Sequence, residues 1–245
     1  MIAHSLRLVA ALSLLVLFEL PAALAGEGRG LIVAELFTSQ GCNACPPADE
    51  YLAELNARPD VLGLSFHVNY WDYLGWKDTF ATEWTTERQY QYKKALGERS
   101  VYTPQLVIGG SDRLVGSRRD AVVAALDAAM EPTIGVTAVR RGEGRIAIAV
   151  APGESNKGGA DVWLVLFFSQ RTVEIERGEN AGDTAVFTNV VSDYQKVGEW
   201  YGEALEIELQ VGDMREGGHD RGAIIVQGPN GGAIIGALEL DLNRL

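Results

Sequence analysis

Cysteine is scarce: 245 residues hold two, with three histidines and three methionines. A multi-disulfide scaffold is excluded. Only one half of a paired Cys-x-x-Cys zinc site is present, and zinc needs four ligands. Positive charge is also short, at 21 Lys and Arg against 33 Asp and Glu, a net of -12. So acidic a chain does not bind nucleic acid or an anionic membrane through its bulk field, and solubility is the simpler meaning of the sign. Beyond the N-terminus no apolar run approaches the roughly 18–20 residues of a membrane span. No repeat of fixed period and no low-complexity linker occurs.

Arg7, the apolar run Leu8 to Phe18 and the small-x-small site Ala23-Leu24-Ala25 together read as a secretory signal peptide over residues 1–25. Glu19 is atypical there and leaves an uncleaved anchor as the alternative. The expectation is an exported protein, in a periplasm or secreted, where disulfides persist.

The two cysteines stand in Glu35-Leu36-Phe37-Thr38-Ser39-Gln40-Gly41-Cys42-Asn43-Ala44-Cys45-Pro46-Pro47. An apolar run leads in and an amphipathic run leads out. Strand, turn, Cys-x-x-Cys and helix is the setting of a dithiol/disulfide redox pair. A structural staple is the rival, but a bridge closing so short a loop removes little entropy from the unfolded chain. Cys42, ahead of the helix, is read as the more exposed nucleophile and Cys45 as the resolving thiol.

The chain in order predicts a strand over 31–37, a helix from Pro46 to about Asn56 and a strand over 61–68. An aromatic stretch, Asn69 to Trp76, precedes a helix over 79–96. Strands over 105–108 and 113–115 and a helix over 119–130 follow. This β-α-β-α-β-β-α order is that of a thioredoxin-like α/β domain with a mixed sheet, over residues 30–131, carrying an aromatic insertion near 69–98. From residue 133 to 245 glycines become frequent and about eight short strands are expected, an all-β sandwich-like domain.

Several residues join the pair as candidates. Glu35, on the strand feeding the motif, is a proton relay if buried below the cysteines, and otherwise an outward or salt-bridged glutamate. Thr103-Pro104 precedes the third strand, where thioredoxin-like folds place a cis-proline facing the cysteines and pairing with substrate. Pro104 is therefore assigned to catalysis and Thr103 to substrate binding. Tyr70 and Trp71, with Tyr73 and Trp76, form either an apolar lip for a partner or the insertion's own core. His67 with both cysteines is the one set suggesting a soft metal such as copper, and a hydrogen-bonded core histidine is the simpler reading. No metal and no cofactor is expected. Arg177-Gly178-Glu179-Asn180, Asp193, Tyr194 and Trp200 show no catalytic spacing and read as turn or domain contact.

Glu35 to Asp49, His67 to Trp76 and Tyr102-Thr103-Pro104-Gln105 resemble a family of secreted bacterial thioredoxin-like proteins, itself a domain of unknown function. Arg177 to Gly182 and Thr188-Asn189-Val190-Val191 resemble its C-terminal half. The resemblance spans nearly the whole mature chain. It implies a thioredoxin-like fold and a Cys42/Cys45 pair, and no substrate. Asn69 stands where the pattern often has Asp. The functional expectation is an exported thiol–disulfide oxidoreductase-like protein acting on protein thiols or disulfides of the envelope. The alternatives are a non-enzymatic envelope-binding protein with a structural disulfide and a copper-handling protein.

Overall fold

Both faces of β1 (Ile32–Thr38) are covered, and all its residues are buried. Its continuous apolar run therefore suits a sheet centre. The computed structural model describes residues 30–142, 144–155 and 158–245; the expected signal peptide lies outside the described residues. The first half holds α1 (Pro46–Leu55), β2 (Val61–His67), α2 (Glu83–Ala95), β3 (Gln105–Ile108), β4 (Asp112–Val115) and α3 (Arg119–Ala128). The second holds β5 (Val136–Arg141), β6 (Arg145–Val150), β7 (Ala160–Glu174), β8 (Thr184–Trp200), β9 (Leu205–Gln210), α4 (Val211–Arg215), β10 (Arg221–Gln227) and β11 (Ile234–Asp241).

Eight strands form one mixed sheet in the order β11-β10-β7-β8-β2-β1-β3-β4, and β5-β6-β9 form a second, small sheet. β1 and β2 are parallel, while β3 runs antiparallel to β1. The change of texture at residues 131–133 is real, since α3 ends there and β-structure follows, but the sheet does not stop at it. β8 joins β2 through the pair Ser65↔Val190, so strands of the β-rich half extend the sheet of the first.

Alternation along the strands sorts the core into layers. On one face α1 and α3 pack Leu52, Leu55, Val122 and Leu126 against Ile32, Ala34 and Leu36. Beside them on the second half the small sheet packs Ile146 and Ile148 against Leu164 and Ile224. On the opposite face α2 and its flanks lie over Phe37, Leu64, Phe66, Phe167 and Ile225.

Two local differences from the sequence reading have physical causes. The second helix starts at Glu83, not Thr79, because Thr82 and Thr85 form a reciprocal capping box there. The Asp78 carboxylate meanwhile takes the Phe80 and Ala81 N–H groups into a turn. Where short strands are expected, residues 160–174 form one long strand, β7, paired along its length with β8. Bulges near Val162 and Leu166 let so long a ribbon bend.

Candidate functional site: a disulfide under a hairpin tip

Where β1 ends, the chain turns at once into the motif. The Gly41 N–H donates to Ser39 Oγ and the Cys42 N–H to the Ser39 carbonyl. Cys45 N–H returns to the Cys42 carbonyl, so the turn from Cys42 runs straight into α1. Pro46 and Pro47 follow at the first helical positions, where a missing N–H costs nothing. Cys42 and Cys45 are bonded to each other as a disulfide. Cys42 is the more exposed of the two, as its place ahead of the helix suggests, but only 3% of it reaches solvent, against 0% for Cys45.

That burial comes from residues distant in sequence. Asn180, at the tip of the β7–β8 hairpin, donates its side-chain amide to the carbonyls of Gln40 (2.9 Å) and Cys42 (3.1 Å). Gly178, at a φ of 83°, brings the tip onto Trp76, where a Cβ would stand 3.2 Å from the Trp76 Cβ. The aromatic stretch closes the other side. Gln40 donates its N–H to Asp78 Oδ2 and accepts from Trp76 Nε1, both at 2.8 Å. Trp71 packs on Gly41 and donates its indole N–H to Thr103 Oγ1 at 2.8 Å. The Thr103–Pro104 bond is cis, as the position before β3 led us to expect. Trp71 thus spans from the loop preceding Cys42 to the Thr103–Pro104 bend. Tyr70 packs beside Trp71, while Tyr73 stacks on it and stands 77% exposed.

Beneath α1 the sheet is polar. Thr38, Ser65 and His67 all lie on the face that α1 covers, and Asp49 points down from the helix; all four are buried. Burial, offset in part by His67 and the Thr38 hydroxyl, pushes the Asp49 carboxyl up to about 7. Asp49 Oδ1, Thr38 Oγ1, Ser65 Oγ and His67 Nε2 nonetheless lack a hydrogen bond of ordinary geometry. His67 Nδ1 is 2.8 Å from Asp78 Oδ2, and its ring lies edge-on to Phe80 and Phe187. Burial acts to raise the Asp78 carboxyl; His67 and the N–H groups of Gln40 and Phe80 outweigh it and hold it below the usual range. As a carboxylate, Asp78 accepts a hydrogen bond from His67 Nδ1.

Glu35 is not below the cysteines. It faces the other side of the sheet, where Arg88 Nε donates to Oε1 at 2.7 Å and the Tyr92 hydroxyl donates to Oε2. Arg88 also reaches Gln227 Oε1 at 3.2 Å and lies over the rings of Phe66, Tyr92 and Tyr194. The salt-bridged alternative describes Glu35, and the relay expected of it has no path to Cys45 through that face. His67 likewise serves Asp78. Among the described residues no three His, Cys, Asp or Glu converge as ligands for a metal ion, so the copper set of Cys42, Cys45 and His67 does not come together.

Asp49, Asp78 and Arg88 are the site residues the sequence reading passed over. Asp49 had a signal: it lies four residues after Cys45, one turn along the same helix face. Asn180 closes the run Arg177-Gly178-Glu179-Asn180, which the sequence reads as turn or domain contact; the structure makes it a contact between the halves. Asp78 and Arg88 carry no local signal.

No curated protein matches the chain. Among solved structures, a protein from Agrobacterium tumefaciens, determined by X-ray crystallography as a structural-genomics target, is 33% identical. It covers 89% of this chain and 97% of its own, with a TM-score of 0.75. A second match, to an endonuclease/exonuclease/phosphatase from Beutenbergia cavernae, has a TM-score of 0.20 at 14% identity and spans 43% of this chain and 22% of that one; it carries no argument. The family model "Protein of unknown function (DUF1223)" matches residues 33–227. The chain belongs to that family.

Proposed function

We propose that the protein is an exported thiol–disulfide oxidoreductase-like protein whose Cys42–Cys45 pair exchanges with thiols or disulfides of envelope proteins, on a thioredoxin-like first half. The reading rests on one observation: a bonded Cys-x-x-Cys at the front of α1 with a buried carboxyl, Asp49, one turn along the same helix. The parallel β1–β2 pair, the antiparallel β3 and β4, helices on both faces and the cis bond before β3 agree with it.

In the disulfide form a partner thiolate attacks Cys42 Sγ. The Cys42–Cys45 bond breaks, and the electron pair leaves on Cys45 Sγ. Asp49, neutral below about pH 7, supplies that thiolate with a proton. A second partner thiolate then attacks the partner sulfur of the mixed disulfide and expels Cys42 as a thiolate. The partner is oxidised by two electrons and the pair is reduced; the same steps reversed reduce a partner disulfide. The partial positive charge of the α1 N-terminus favours the Cys42 thiolate. The low exposure of Cys42 means that the Asn180 latch opens before a partner sulfur arrives.

That low exposure favours a second reading, a fixed disulfide in a non-enzymatic envelope-binding protein. One experiment separates them. Cys45→Ser should trap mixed disulfides at Cys42 from an envelope extract, and the wild type should reduce or oxidise a model protein substrate. No trapped species, together with a pair that stays oxidised under strong reductant in the native protein, selects the fixed disulfide.

A further inference from the structure

Between the front of α1 and the β7–β8 hairpin lies a cavity of about 330 Å³, near the lower end of the roughly 300–1,000 Å³ of small-ligand sites. Its floor and one wall are Asp49, Ser39, Gln40 and Pro46, and Phe187 and Ile175 face them from the hairpin. Glu50 and Asp183 add carboxylates, and no Lys, Arg or His lines it. Asp49 is the built feature: it is 8% exposed, and its Oδ1 has no hydrogen-bond partner.

We propose that this cavity is a specificity pocket for a lysine or arginine side chain of the partner polypeptide. The aliphatic stem packs on Phe187 and Ile175 while the cationic head meets Asp49, which is a carboxylate above about pH 7 and again once its proton has gone to Cys45. The inference deepens the exchange reading and rests on it, because position argues for a polypeptide. Only Gly41 separates Ser39 and Gln40 from the Cys42–Cys45 segment, and Pro46 immediately follows it. A side chain seated here therefore belongs to a chain that already crosses the disulfide. Three carboxylates line the cavity and no Lys, Arg or His does, which supplies the charge complementarity. The burial that raises the Asp49 carboxyl, which His67 and Thr38 offset only in part, is what an incoming cation relieves further.

The test uses the oxidised full chain and needs no exchange. Alanine-based heptapeptides carrying Lys, norleucine or Glu at one position are titrated by calorimetry, with n-butylammonium as a free amine. The Lys peptide should bind at least tenfold tighter than the norleucine peptide, and the Glu peptide weakest. Asp49→Asn should abolish the Lys preference with the circular dichroism unchanged, and Asp183→Asn, on the exposed rim, should reduce it a few-fold. Amide shift changes on titration should centre on Asp49, Asn180 and Phe187. Equal binding of Lys and norleucine peptides, or no binding of either, overturns the proposal. Free amine binding as tightly as the Lys peptide overturns its polypeptide part. Should exchange activity be absent while the Lys preference holds, the exchange reading fails and the pocket stands as a peptide-binding site. Exchange without a Lys preference defeats the pocket alone.

Discussion

The side-chain amide of Asn180 donates to the carbonyl of Cys42 at 3.1 Å, fastening the tip of one hairpin to a disulfide 138 residues earlier. The same amide holds the Gln40 carbonyl. Asn180→Ala leaves both carbonyls without it, at a cost of about 1–3 kcal/mol. If reductant reaches Cys42 by local opening of this tip, each kcal/mol lost from the latch speeds native-state reduction about fivefold. Thiol release under dithiothreitol, timed well below the melting temperature, checks it. An unchanged rate would mean that reduction follows a different opening.

The Glu35–Arg88 pair predicts a structural cost with no catalytic signature. Both residues are buried, and the pair joins β1 to α2 and, through Gln227, to β10. Removing one partner of such a pair costs about 3–5 kcal/mol, because the other charge stays buried alone. Glu35→Ala and Arg88→Ala should each lower the unfolding free energy by that much, read as a fall in the denaturant midpoint at unchanged m. The double variant should cost clearly less than the sum. Any exchange activity of a surviving variant should keep the wild-type pH profile. A shifted profile would return a proton-handling role to Glu35.

Asp49 sets the sign of a pH dependence. Its folded pKa of about 7 lies above the ordinary value of 3.8. Between those values the folded state holds a proton that the unfolded chain has lost, so stability from this group falls as pH rises through the window. The span corresponds to up to about 4 kcal/mol. Asp78 acts oppositely: its folded pKa is depressed, so its contribution is present above about pH 4 and is lost as pH falls through the folded value. Asp49→Asn should therefore gain stability over the wild type progressively from pH 4 to pH 7. Urea midpoints at four or five pH values check it, and a constant difference would place the titration elsewhere.

The sequence announced the cysteine pair and the strand and helix order because these signals are local, and the cis-proline because of its place before the third strand. Two prolines after Cys45 mark a helix start, and alternation marks β5, β6 and β9. It announced less of what burial brings together. The α2 helix buries Arg88, Gln89 and Tyr92, so its inward face reads as polar and gives no hint of the ion pair beneath. The buried place below the pair that the sequence offers to Glu35 is held by Asp49, for a geometric reason. A strand residue is assigned to a face only once its register is known, whereas i to i+4 spacing on a helix can be read directly. Nor does anything in a run of short strands say whether they close on themselves or extend an existing sheet. β8 does the latter through Ser65↔Val190.

That junction yields the last prediction. Asn189, beside Val190, sits at a φ of 49° and donates its amide to the Gly63 carbonyl of β2 at 2.9 Å. With the sheet running through both halves, unfolding should be one transition. Far-UV circular dichroism, weighted to the helices of the first half, should coincide with the fluorescence of Trp200, buried in the second half and read in a variant whose other four tryptophans are phenylalanine. Asn189→Gly keeps the backbone at ease but loses the hydrogen bond, for about 1 kcal/mol. Asn189→Ala adds the left-handed backbone penalty of roughly another 1–2 kcal/mol. Both should move the two signals together. A variant in which the fluorescence transition separates from the ellipticity transition would mean that the halves fold as independent units and that β8 only abuts β2.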